Sequence, residues 1–251
     1  MTKKTIDLIV LENDQEKRIP FLQLSWYESP KKTNVKRLAT PEVLSGTGWQ
    51  YTHTSLSKNY LNGIIKVHDL FKTIVDDTDQ QDYITYENIA ARPFAYVTQE
   101  AYEKIKPVIS KEKDNDTLVN PAAHICWDKG IFVSLNRKRT LNDMLGLNVH
   151  EHGHHMHYLL RPRQYTSCDA TMIELMAIFT MVNCNLPVNY RPANYDPNTK
   201  TGETPHYRAE KLLNQLYRKQ EYFYLNTADQ WNFLMDFHEH QELQEYIEEM
   251  F

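Results

Sequence analysis

The sequence predicts an α+β protein: a β-containing N-terminal lobe over residues 1–116, then a core with a mostly helical C-terminal part over residues 117–251. The two parts could also run together as one continuous domain. Three observations lead there. Two apolar runs, Ile6–Val10 and Ile19–Trp26, flank the polar, turn-forming stretch Asn13–Lys17 and read as a hairpin. Two further short β-type runs, Ala122–Trp127 and Ile131–Leu135, surround the turn residues Asp128, Lys129 and Gly130. Beyond Thr140 the apolar residues recur at helical rather than strand spacing.

Taken in chain order, Leu61–Val75 is the first helix, with apolar residues at 61, 64/65, 67/68, 71 and 74/75. A second helix is expected after Thr98. Lys111–Thr117, all charge and turn residues, marks the boundary between lobes. Thr140 with Asp143 three residues on has the form of a capping box and opens a helix to about Leu160. Asp169–Asn183 is an apolar helix stopped before Pro187. Thr204-Pro205, an N-cap followed by proline at the first helical position, starts a helix to about Leu225. Thr227 starts a last one to the C-terminus. In this reading the N-terminal lobe and the unit 121–160 form one wall of a cleft, and the helices after 169 form the other.

Composition narrows the class without naming the chemistry. The chain has 251 residues, a formal charge of −5 and 41% hydrophobic residues, enough for a real core. There is no basic excess, so nucleic acid is not an expected partner. No run approaches the length of a membrane span, so no membrane association is expected. The opening MTKKTIDLIVLEND has a short apolar run broken by Asp7, which reads as a strand and not as a signal peptide. The 3 cysteines, Cys126, Cys168 and Cys184, make no framework, and reduced thiols in a cytoplasmic protein are expected.

Chemistry is concentrated in NVHEHGHHMHYLL, which holds His150, His152, His154, His155 and His157 out of 11 histidines in all. At about 100° per residue His150 and His154 lie about 40° apart, one turn from each other, and His157 falls on the same stripe. Leu141, Leu145, Val149, Met156 and Leu159 gather on the opposite side. The pattern HExxH therefore stacks two imidazoles as metal ligands, with Glu151 beside the open coordination position. Neutral imidazoles leave the charge of Zn²⁺ uncancelled, and a neighbouring carboxylate can take a proton from water and pass it to a leaving amine. Gly153 leaves room for something to approach the helix closely.

A third ligand is needed. Between Tyr158 and Tyr195 the only acidic residues are Asp169 and Glu174. Glu174 sits in TMIELMAIFTMV, a helix apolar nearly all round, where a lone carboxylate is costly unless paired. No Lys or Arg lies between Arg163 and Arg191. Glu174 is the expected ligand and Asp169 the reserve. His238 and His240 are about 200° apart on a helix and cannot share an ion; His124 alternates within a strand and reads as structural.

At this point the chain resembles the gluzincin metallopeptidases, the thermolysin-like zincins, in which HExxH on one helix is joined by a glutamate on the next. The twenty residues from His154 to Glu174 match the thermolysin-like spacing. HExGHxxH over 150–157 is similar to thimet-type oligopeptidases, and 174–187 to repressor-cleaving peptidases of the ImmA/IrrE type. The resemblance covers about residues 130–187. It implies a zincin-like fold, His150, His154 and Glu174 as Zn²⁺ ligands, and Glu151 as general base. It also implies that Gly130–Leu135 is the edge strand that holds an extended substrate. A tyrosine eleven residues beyond the second histidine, Tyr165 here, would help stabilise the oxyanion; His206 or Tyr207 could do the same work. Two positions depart from the family pattern. His152 replaces an apolar residue after the glutamate and reads as a core histidine or a partner of a ligand. Ile178 stands where an aspartate orients the first histidine. The expected function is zinc-dependent hydrolysis of peptide bonds in a peptide or protein substrate. The alternatives are a repressor-cleaving regulatory protease and a non-catalytic, zinc-stabilised binding protein.

Overall fold

Thr140 and Asp143 set the start of the helix that carries the histidines. The Thr140 hydroxyl accepts from the Asp143 amide at 3.1 Å, and the Thr140 amide donates to the Asp143 carboxylate at 2.9 Å, the reciprocal pair of a capping box. The computed structural model describes residues 59–75, 78–90, 140–186 and 204–249 in full, and the backbone alone of 53–58 and of the strand spans named below. The expected helix after Thr98, the boundary at 111–117 and the side chains of His124 and Cys126 lie outside the described residues.

In chain order the helices are α1 (His53–Ile74), α2 (Tyr86–Ile89), α3 (Leu141–Leu160), α4 (Pro162–Ser167), α5 (Ala170–Asn183), α6 (Pro205–Leu216), α7 (Gln220–Phe223), α8 (Thr227–Met235) and α9 (His240–Glu249). The α+β, zincin-like expectation with a β-containing lobe is corrected: the interpretable part of the structure is 80% helical, with no strand or sheet in it. Backbone strand pairing occurs only outside those fully described residues. There, β1 (Ile6–Glu12) pairs with β2 (Gln15–Phe21), and β3 (Tyr27–Glu28) with β4 (Asn34–Val35). A third small group has the order β5 (Phe94–Val97), β7 (Gly130–Ser134), β6 (Ala123–Cys126). The expected edge strand is corrected too. β7 is paired on both sides, in parallel with β5 and antiparallel with β6, so its backbone groups are not free to take an added peptide strand.

What fills the core explains the correction. Tyr60, Ile64, Val67 and Phe71 of α1 share one apolar cluster with Met144, Leu147, Val149 and Met156 of α3. The histidine helix is therefore backed by another helix. The cluster continues through Leu175, Met176, Ile178 and Phe179 of α5 and Leu212, Leu213 and Leu216 of α6. Two glycines bring the axes close. A Cβ on Gly63 would lie 3.1 Å from Asn148 Cβ across the α1–α3 contact. A Cβ on Gly153 would lie 2.9 Å from Thr180 Oγ1 and 3.0 Å from Ala177 Cα across the α3–α5 contact. What approaches Gly153 is thus the helix that carries Glu174.

The helix ends follow local chemistry. Asp169 caps α5 by accepting from the Met172 amide at 2.9 Å. Thr204 caps α6 by accepting from the Tyr207 amide at 3.2 Å. The helices expected over 204–225 and from 227 onward are each interrupted, after Leu216 and after Met235. Gln164 secures the second break, donating to the carbonyls of Met235 and Phe237, both at 2.7 Å. Among the C-terminal aromatics Tyr222 and Trp231 are buried, whereas Phe223 and Tyr224 are exposed.

Candidate metal centre

One helix carries all five clustered histidines, and its neighbours sort them. α3 is buried on every side from Gly146 to His157, so the histidines do not face solvent as an exposed stripe. His150 and His154 meet at Nε2–Nε2 3.1 Å with rings nearly perpendicular. Close packing at Gly153 brings Glu174 against them: Oε2 is 3.2 Å from His150 Nε2, and Oε1 is 3.9 Å from His154 Nε2. Ligands about 2.0–2.1 Å from a tetrahedral zinc ion lie about 3.3 Å from one another, so these spacings fit that ion.

A fourth side chain joins them. The ligand atoms of His150, Glu174 and His206 all lie within 4.8 Å of one another. The His206 ring stacks on that of His150, centroids 5.5 Å apart. Sequence reasoning placed His206 near the chemistry as an oxyanion donor and did not foresee it among the donors. No spacing rule links it to the motif; only the Thr204-Pro205 helix start marked its position.

Electrostatics agree with a site built for positive charge. Burial alone would raise the Glu174 carboxyl. The hydrogen bond from His150 and the nearby His154, His150 and His206 outweigh it and bring the pKa down to about 2. Burial pushes His150 down, but Glu174 and Glu151 raise it above its ordinary value. A proton on His150 and a dication on the same donors are therefore alternative ways of satisfying Glu174. Burial lowers His154 to about 3 and His206 to about 4, keeping both imidazoles neutral with a lone pair to give. Glu151 is buried, and burial raises its carboxyl to about 7 against the pull of His150, with Glu174 adding to the rise. A carboxyl tuned to that value exchanges protons near neutrality.

The remaining histidines have other work. The Asn148 carbonyl can only accept, so His152 Nδ1 carries the proton and Nε2 accepts from the Tyr60 hydroxyl at 3.1 Å. His152 is the satisfied core histidine of the two readings above, lowered by burial to about 4. His155 Nε2 donates to the Asn88 carbonyl at 3.1 Å, and His157 faces Gln164 at 3.4 Å. Tyr165 packs its ring edge-on against His157 and Tyr158, one turn past the ligand pair. Tyr207 is 37% exposed beside His206. Asp169, the reserve ligand, is spent on its cap and sits 3.6 Å from His240. Ile178 is core, and His154 Nδ1 has no hydrogen-bond partner among the described residues.

Comparison with protein-family models, with curated proteins and with solved structures finds no match. No described helix is long and apolar enough to cross a membrane.

Proposed function

We propose that this chain is a zinc-dependent metallopeptidase that hydrolyses peptide bonds in a peptide or protein substrate. The observation that carries the reading is the convergence of His150, His154 and Glu174 within 3.1–3.9 Å of one another beside a buried Glu151. Zn²⁺, when bound, supplies a Lewis acid for the scissile carbonyl and makes a water acidic enough to attack near neutral pH. His150 and His154 hold it through neutral nitrogen, and Glu174 supplies the negative charge that keeps it there. Glu151 takes the proton of the attacking water and returns it to the leaving amine. The dry setting of Glu151 keeps that proton from being lost to bulk solvent. Tyr207, next to His206 at the exposed end of α6, is the oxyanion donor in this reading; Tyr165 is directed instead to His157.

Replacing Glu151 with Gln should leave zinc content at that of the wild type and abolish cleavage of a mixed peptide pool. Retained cleavage would remove Glu151 as the base. A second reading, a non-catalytic binding protein stabilised by zinc, is favoured by the nearness of His206 to His150 and Glu174, since structural zinc sites have four protein ligands. Wild-type protein whose Tm falls on chelation, yet which cleaves nothing in the pool, would establish it.

A further inference from the structure

We infer that His206 is a further protein donor of this centre, grouped with His150 and Glu174, and that a bound ion would draw in His154, 3.1 Å from His150 and 3.9 Å from Glu174, to close the set. The inference rests on the proposed metal centre and deepens it. His206 has a ligand atom within 4.8 Å of those of both His150 and Glu174. Its ring lies nearly parallel to that of His150, at 28°. Pro205 occupies the first helical position of α6 and Thr204 caps it, which fixes the turn that bears His206. One turn before Glu174, Thr171 Oγ1 accepts from Arg208 Nε at 3.0 Å, locking the first turn of α6 to the helix that carries the carboxylate. Ala209, Leu212 and Leu213 then bury the inner face of α6 in the core. Three separate helices thus contribute donors to one point.

With His154 and His206 both drawn onto a bound ion, three imidazoles and one carboxylate would make four protein donors, whereas a catalytic zinc site leaves one position for water or substrate. With His206 in that position, water and substrate reach the ion only when His206 is displaced or the sphere expands to five. His206 therefore sets the resting affinity for metal and restricts access of small anions, in place of donating to an oxyanion.

Cobalt(II) substituted into the full chain reports this directly through its visible spectrum, read before and after adding azide. Zinc affinity is measured alongside by competition with a chromogenic chelator, for wild type, His206→Asn, His206→Ala and His154→Ala. The expected result is a four-coordinate wild-type spectrum that azide leaves unchanged. In both His206 variants zinc should bind more than about tenfold more weakly, and azide should alter the cobalt spectrum. A wild-type spectrum that already responds to azide overturns the inference, and so does unchanged zinc affinity in both His206 variants. In either case loss of zinc in His154→Ala still upholds the three-ligand centre. If neither ion binds wild type, the metal-centre reading itself fails and takes the inference with it. The wild-type azide response decides the matter even where a variant does not fold.

Discussion

His150 and His154 differ from His152 and His157 by two or three positions on one helix, yet they do opposite jobs. The first pair turns toward a carboxylate and a third imidazole. In the second pair, His152 is closed off by the Asn148 carbonyl and the Tyr60 hydroxyl, and His157 is held at Nε2 by Gln164. All four are buried, so burial does not distinguish them; the partner on the facing helix does. A histidine-rich helix is therefore read by asking which imidazoles are held by an uncharged hydrogen-bond partner and which meet another potential metal donor.

The contrast can be broken most sharply at Glu174. If the 10–16 kcal/mol typical of a four-ligand zinc site were shared evenly, one donor would carry about 2.5–4 kcal/mol. Glu174→Ala should then weaken zinc binding by roughly a hundredfold or more in a chelator competition. An unchanged affinity would place the site elsewhere. Acid tests the other side. Burial lowers His157 to about 4 from an ordinary value of 6.5. Between these values the unfolded chain binds the extra proton, so stability is fully present above about pH 6.5 and is lost as pH falls toward 4. The loss is on the order of 3 kcal/mol. Denaturant melts of wild type between pH 7.5 and 4 should show a slope to which His157 adds one proton beside the other buried histidines, and His157→Asn should reduce it by that share; equal slopes would mean that His157 is solvated.

Much of α3 could be read from local chemistry, because a capping box, a 3.6-residue period and an i, i+4 pair are all contained within one helix. Glu174 could be read too, since a lone carboxylate in an apolar helix demands a partner. The fold class could not. Short β-type runs are conspicuous in sequence, while the packing of Tyr60, Ile64 and Phe71 onto α3 depends on contacts between residues roughly eighty positions apart. The nearness of His206 to His150 and Glu174 escaped for the same reason: its place follows from how α6 docks on α5. The breaks after Leu216 and Met235 also escaped, for the second is stabilised by Gln164, far away in the chain.

Two smaller effects sharpen the comparison at the helix contact. Gly153→Ala puts a methyl against Thr180 and the Ala177 backbone, at a cost of about 1–3 kcal/mol for overpacking. Zinc affinity should fall with stability, because the same contact brings Glu174 to the histidines; stability lost without any change in zinc affinity would uncouple the two. Asp169→Ala removes a helix cap and should cost about 1 kcal/mol in a thermal or denaturant melt, with zinc affinity unchanged. Loss of zinc there would return Asp169 to the ligand set.

The contact at Gly153 acts as a fulcrum. Ala177 and Thr180 bear on it from α5, and Glu174 lies about one turn before Ala177 on the same helix. A few tenths of an ångström of separation at the bearing point is passed along α5 to the carboxylate, so the side chain at position 153 sets the span of the donors. The donors on that span are mostly neutral imidazole nitrogens, which would suit a zinc-like ion better than a hard, oxygen-seeking one such as calcium.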